Sequence, residues 1–331
     1  MKTTDIGQSG LQTSALGLGC MAMSEFYGAF DDAESLKTLE RAMEIGITML
    51  DTADLYGDGR NEDLLGRFLS QTSHTPLIAS KCGIVRTDEI MSDGNFKRER
   101  CGKPDYITAS CEKSLKRLGV DVIDLYYLHR IDPNVPVEDS MGALADLKTA
   151  GKIRAIGLSE PSADELRRAN AIAPVDAVQS EYSLWTRLVE DEVLPVIRTT
   201  GAALVCYSPL GRGLLRKTGT LPTLDADDFR RTLPRFQQDS LNANADLFDL
   251  LDEVAAREGI SVPQLMLVWL LSRGEDIIPI PGARKVNHLE QNAAAVDISI
   301  DPAALVRLSD AFASGAVAGG RYTEGKAVKT A

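Results

Sequence analysis

The chain has 331 residues, 44% hydrophobic and 25% charged, enough for one large α/β domain or two modest ones without disulfides or metals. Its 36 basic residues face 48 acidic ones, and the net charge of -12 argues against a nucleic acid or an anionic membrane as partner. Five cysteines (Cys20, Cys82, Cys101, Cys111, Cys206) without CxxC spacing point to reduced thiols, and three histidines (His74, His129, His288) without ligand spacing argue against a metal centre.

The opening MKTTDIGQSG has no apolar run of the signal-peptide kind, and residues 265–271, the longest purely apolar stretch, are too few for a membrane span. The expectation is a cytoplasmic protein. Residues 1–14 read as a hairpin turning at Gln8-Ser9-Gly10, placed to plug a barrel. Strand-like runs follow at 15–19, 47–50, 77–80, 123–128, 155–158, 177–179, 203–207 and 277–280. Helical runs separate them, at 33–45, 106–118, 137–150, 163–171 and 193–199 among others. Asp31-Asp32 caps the first helix, and Gly46, Gly119 and Gly151 stand where helices must stop. Eight strands alternating with helices predict a single (β/α)8 barrel. An open doubly wound sheet would want GxGxxG after its first strand, and Gly17-Leu18-Gly19-Cys20-Met21-Ala22 fails that pattern. After strand seven, residues 211–240 are rich in Gly, Arg, Asp and Pro, a long loop read as a candidate cofactor lid. A helix at 242–258 follows, and the small-residue tail at 313–331 reads as loose.

Barrels do their chemistry at the C-terminal ends of the strands. Strand two ends in Asp51 with Tyr56 in its loop, strand three in Lys81, strand four in His129. A phenol titrates near ~10, and a neighbouring ammonium is expected to lower that value. A carboxylate holds the lysine, and an imidazole orients a carbonyl. The set describes a general acid for carbonyl reduction, with a nicotinamide supplying hydride.

The segments LDTADLYGDGRNEDLLG, IASKCG and DLYYLHR resemble the signatures of the aldo-keto reductase superfamily, and the likeness runs to about Asn292. GLGCMAMSEFYG and RRTLPRF most resemble a bacterial, fungal and plant branch with pyridoxal, methylglyoxal and alkaloid reductases. The resemblance implies NADPH as cofactor and a small carbonyl compound as substrate. It makes Tyr56 the proton donor, tuned by Lys81 and Asp51, with His129 orienting the carbonyl. It implies that Tyr207 stacks on the nicotinamide and that Ser208, Pro209, Leu210, Gly211 and Arg212 follow the pyrophosphate. Ser159 and Gln179 hold the carboxamide, while Glu160 stands where the family usually has Asn. Cys20, Met21 and Asp51 also join the cofactor contacts. Gly282 and Arg284 precede a helix N-terminus suited to phosphate, with Lys285 a further contact, and His288, Gln291 and Asn292 reach the adenine end. Lys217, Arg230 and Arg231 are candidate lid contacts; Tyr27, Trp185 and Phe229 are candidates for the substrate pocket. A second reading is an NADPH-binding regulatory subunit, because channel-associated members of the superfamily keep the catalytic set.

Overall fold

The structure is a computed structural model that describes residues 1–25, 30–90, 96–214, 224 and 228–322. Two short strands, β1 (Thr3–Asp5) and β2 (Gln12–Ser14), pair antiparallel as a hairpin. The barrel follows in chain order: β3 (Leu18–Gly19), α1 (Asp32–Glu44), β4 (Met49–Asp51), α2 (Arg60–Leu69), β5 (Leu77–Cys82), then a second hairpin of β6 (Ile84–Ile90) and β7 (Phe96–Arg100). It continues through α3 (Pro104–Leu118), β8 (Ile123–Leu128), α4 (Val137–Thr149), β9 (Ile153–Ser159), α5 (Ala163–Ile172), β10 (Ala177–Glu181), α6 (Val193–Thr200) and β11 (Ala203–Tyr207). The last elements are α7 (Gln238–Ala243), α8 (Ala245–Glu258), α9 (Val262–Leu271), β12 (Ile277–Pro279), α10 (Val286–Ala293) and α11 (Pro302–Ala311).

Eight strands form one parallel sheet in the order β3-β4-β5-β8-β9-β10-β11-β12. Its two edges meet. Gly17 N donates to Pro279 O at 2.9 Å, and Gly19 bridges Gly282 in parallel. This closure makes the (β/α)8 barrel.

Alternation along each strand divides the core. Met49, Ala79, Leu125, Tyr127, Ala155, Ala177, Val205 and Ile278 fill the barrel interior. Their neighbours, such as Leu50, Ile78, Tyr126, Ile156 and Leu204, pack outward among the helices. Gly157 is needed inside, because a Cβ there would lie 2.1 Å from the Tyr127 ring. Ile6, between the strands of the first hairpin, is fully buried in the interior cluster, so β1 and β2 sit against that end of the barrel.

Three differences from the sequence reading have physical causes. The β6/β7 hairpin was not anticipated, because IVRTDEI shows no apolar alternation and none of its strand residues is buried. The first barrel strand is two residues long, since Ala15 N bonds Lys2 O of the hairpin region instead. The helix expected at 242–258 begins at Ala245 after a separate α7; Asn244, at the junction, binds the backbone of Ala318 through its side chain. The long apolar run falls in α9, a core helix buried over Leu265–Leu270. Among the described residues no single helix is long and apolar enough to cross a membrane.

Candidate active site

Parallel pairing of β4 with β5, and of β5 with β8, sets Asp51, Lys81 and His129 at neighbouring strand ends. The Lys81 ammonium is fully buried and has three acceptors: Asp51 Oδ1 at 2.6 Å, Thr52 O at 2.8 Å and Tyr56 Oη at 3.1 Å. An ammonium has three donors, so all are used. Because Lys81 donates to Tyr56 Oη, the phenolic hydrogen is left to point elsewhere. Gln179 Nε2 donates to the other Asp51 oxygen at 2.7 Å, which fixes the carboxylate. The His129 ring meets the Tyr56 ring edge-on, 5.8 Å between centroids.

Electrostatics refine the expected roles. Burial pulls the Lys81 ammonium down, but Asp51 and Tyr56 carry it above its ordinary value, so it stays charged. Burial pushes Tyr56 up, and Lys81 recovers only part of that rise. The expectation of a lowered phenol pKa is therefore corrected: Asp51 cancels much of the lysine charge, and Tyr56 is held protonated. Burial, then Lys81 and Arg130, keep His129 well below its usual value, so the imidazole is neutral. Its Nδ1 is buried without a partner among the described residues.

The expected cofactor residues divide by location. Ser159, Gln179 and Tyr207 stand at or near the ends of β9, β10 and β11. Ser208, Gly211, Arg212 and Gly213 all have left-handed φ, which turns the chain sharply over Pro209 and Leu210. Gly211 permits this: a Cβ there would lie 2.4 Å from Trp185. Gly282 closes the barrel, and Arg284 precedes α10, its carbonyl accepting from Thr38. On α10, His288 and Gln291 are exposed and Asn292 is buried, so the three are not equally open. The Cys20 thiol is buried in the core between barrel and helices, which leaves only its backbone for a cofactor; Met21 packs beside Tyr56, Ala53 and Leu55. No three His, Cys, Asp or Glu groups converge as metal ligands among the described residues.

The model of the Aldo/keto reductase family matches residues 15–311. A probable aldo-keto reductase of Glycine max is 40% identical over 322 residues, covering 97% of this chain and 91% of that one. The chain belongs to the aldo/keto reductase family. Among solved structures, a glycerol dehydrogenase from Gluconobacter oxydans superposes with a TM-score of 0.84 at 29% identity, over 93% of this chain and 94% of its own. A thermostable aldo-keto reductase solved with the inhibitor epalrestat gives 0.73 at 28% identity, over 95% and 100%. One from Klebsiella pneumoniae, in complex with NADPH, gives 0.72 at 24% identity, over 97% and 99%, and speaks for the fold.

This aldo/keto reductase carries a feature its strand ends did not announce. After α11 the chain crosses the mouth of the barrel as a strap, which departs from the expected loose tail as far as Tyr322. Asn244 grips both backbone groups of Ala318, and Arg235 Nε donates to Gly319 O at 3.0 Å. Arg321 then enters the site, donating to Glu160 Oε1 and to Tyr207 Oη, each at 2.8 Å. Tyr207 Oη donates to the same Glu160 oxygen at 2.8 Å, and Glu181 N donates to it at 2.9 Å. Glu160 has a left-handed φ of 54°, a strained backbone for a non-glycine residue, held by these contacts. Burial pushes Glu160 up, but Arg321 and Arg130 hold it below the ordinary carboxylate range. Burial also raises Glu181, and Arg212 and Arg321 outweigh it to bring the group to about 2. Arg212, expected along the pyrophosphate, donates to Glu181 and to Tyr322, both at 3.0 Å.

Arg130, Glu181, Arg321 and Tyr322 also gather at this site and were not anticipated. The signal available was the DLYYLHR segment, where Arg130 follows His129. Of the other candidates, Trp185 is buried against Phe248 and Phe312 yet also lines a cavity, Phe229 lies under Arg212, Arg230 is bound to Asp228 and Arg231 is exposed. Lys285 is exposed ahead of α10. Tyr27 and Lys217 lie outside the described residues, as does much of the candidate lid.

Proposed function

We propose that this enzyme reduces aldehydes or ketones to alcohols with NADPH, and that Tyr56 delivers the proton. The observation that carries the reading is the hydrogen-bond pattern at Lys81. Its ammonium donates to Tyr56 Oη, so the phenol hydrogen is free for a substrate oxygen and the phenolate left behind is stabilised. Asp51 keeps the ammonium charged and placed, and Gln179 keeps Asp51 placed. His129 is neutral at working pH and donates to the carbonyl oxygen without competing as an acid.

The residues present fit the cofactor. The half-buried Tyr207 ring offers an aromatic face for a planar ring, with Ser159 and Gln179 beside it. The Ser208–Gly213 turn runs along the adjoining strand end, and Arg284 and Lys285 offer cations ahead of α10 for a 2′-phosphate. When bound, NADPH supplies the hydride. The NADPH complex of the Klebsiella pneumoniae relative and the alcohol chemistry named for the Gluconobacter oxydans relative agree with this reading.

The test is loss of reduced-nicotinamide absorbance with NADPH or NADH across a panel of carbonyls. Tyr56→Phe is expected to lower kcat by at least about 100-fold with cofactor affinity retained. Turnover that survives this change refutes the mechanism.

A further inference from the structure

A cavity of about 350 Å3 opens beside the catalytic centre, walled by the strap on one side and by Leu184, Trp185 and Thr186 on the other. Four arginines line it. Arg187 is paired with Glu190 at 2.7 Å, Arg321 with Glu160 at 2.8 Å, and Arg235 lies 3.7 Å from Glu181. Among the described residues, Arg130 alone of the four has no carboxylate within ion-pair distance. Its three contacts are neutral: Nη1 donates to His129 O at 2.7 Å and Ser159 Oγ at 2.9 Å, and Nη2 reaches Tyr207 Oη only at 3.5 Å. Glu160 acts on Arg130 from beyond ion-pair distance, but this half-buried guanidinium has no direct carboxylate partner and keeps donor capacity for a ligand.

The cavity lining carries these four arginines against the single carboxylate of Glu160, a surplus of positive charge. The carboxylates at hand are already engaged: Glu160 by Arg321 and Tyr207, Glu181 by Arg212 and Thr186. An acceptor-only, singly charged group is the complement of such a site, and a carboxylate offers two such oxygens.

We propose that Arg130 recognises a carboxylate on the substrate, so that the preferred substrates are oxo acids or aldehyde acids. The inference rests on the reductase reading, because it needs the carbonyl end at Tyr56 and His129. Arg130 is adjacent to His129 in the chain, which places the charge beside the reacting carbonyl and makes Arg130 a specificity residue.

The experiment compares the three isomeric carboxybenzaldehydes with their methyl esters, both in NADPH oxidation and, with the corresponding carboxybenzyl alcohols and their esters, in calorimetric binding to the NADP+-loaded protein. Wild type is expected to favour at least one acid over its ester by about tenfold or more in kcat/KM, and in affinity for the matching alcohol. In Arg130→Met that ratio falls to near one, and in Arg130→Lys it is partly kept. An acid-to-ester ratio equal in wild type and Arg130→Met overturns the proposal. So does a loss in NADPH affinity that accounts for the whole effect, since Arg130 would then serve the cofactor. If acids bind selectively through Arg130 but no carbonyl is turned over in a Tyr56-dependent way, the reductase reading fails and the anion site stands.

Discussion

Replacing Lys81 with Met is the sharpest test of how the catalytic centre is held. Asp51 is 2% exposed, and its partners are Lys81 at 2.6 Å and Gln179 at 2.7 Å. Without the ammonium, one amide donor faces a buried negative charge. Removing one partner of a buried ion pair costs about 3–5 kcal/mol, a large share of the ~5–15 kcal/mol that holds a domain together. With an unfolding entropy of about 2.1 cal/mol/K per residue, the 331-residue chain has roughly 0.7 kcal/mol/K, so the melting midpoint should fall by about 4–7 °C. Asp51→Leu strands the ammonium instead and should cost a similar amount. The double replacement removes both charges, and its cost should be no greater than either single one. Urea unfolding of the four proteins, followed by circular dichroism, gives the coupling energy directly. Single costs that simply add in the double variant refute the claim that the pair is one electrostatic unit. All three variants should lose turnover, because each disturbs the lysine that anchors Tyr56.

Two further outcomes follow from the strap and from a second buried acid. Arg321→Met should weaken NADPH binding by about tenfold, the scale of a lost charge-assisted hydrogen bond, because Tyr207 and Glu160 lose their shared clamp. Fluorescence titration measures this, and unchanged or tighter binding would separate the strap from the cofactor site. Asp54 is raised to about 8, by burial first and by the neighbouring Glu62 second. Its folded pKa lies above the unfolded one, so the stability it lends at low pH is lost as pH rises from about 4 through 8, by up to about 1.4 kcal/mol per pH unit. Asp54→Asn should flatten that part of the pH profile in urea unfolding; identical slopes for the two proteins would place the proton elsewhere.

Much of the barrel was legible because its cause is local. An apolar run followed by an amphipathic run recurs along the chain, and strand ends fall where the runs stop, so Asp51, Lys81 and His129 could be placed on one face before any coordinates. Tyr56 followed from its loop. The first hairpin was legible for the same reason: Gln8-Ser9-Gly10 is a turn by composition alone. The polar β6/β7 hairpin was not, since its strands bury too little to leave a periodic trace.

What escaped the sequence depends on residues far apart in the chain. Closure joins Gly19 to Gly282, and the strap joins Glu160 to Arg321, 161 positions away. A tail rich in Ala and Gly carries no sign that one arginine in it will meet two buried carboxylates. The rise in the Tyr56 pKa likewise needed the burial around it, with Asp51 offsetting part of the Lys81 charge. Local periodicity and turn chemistry determine which elements form. Desolvation and long-range pairing, which exist only once those elements close into a barrel, decide what charge each group carries and which donors are left for a ligand.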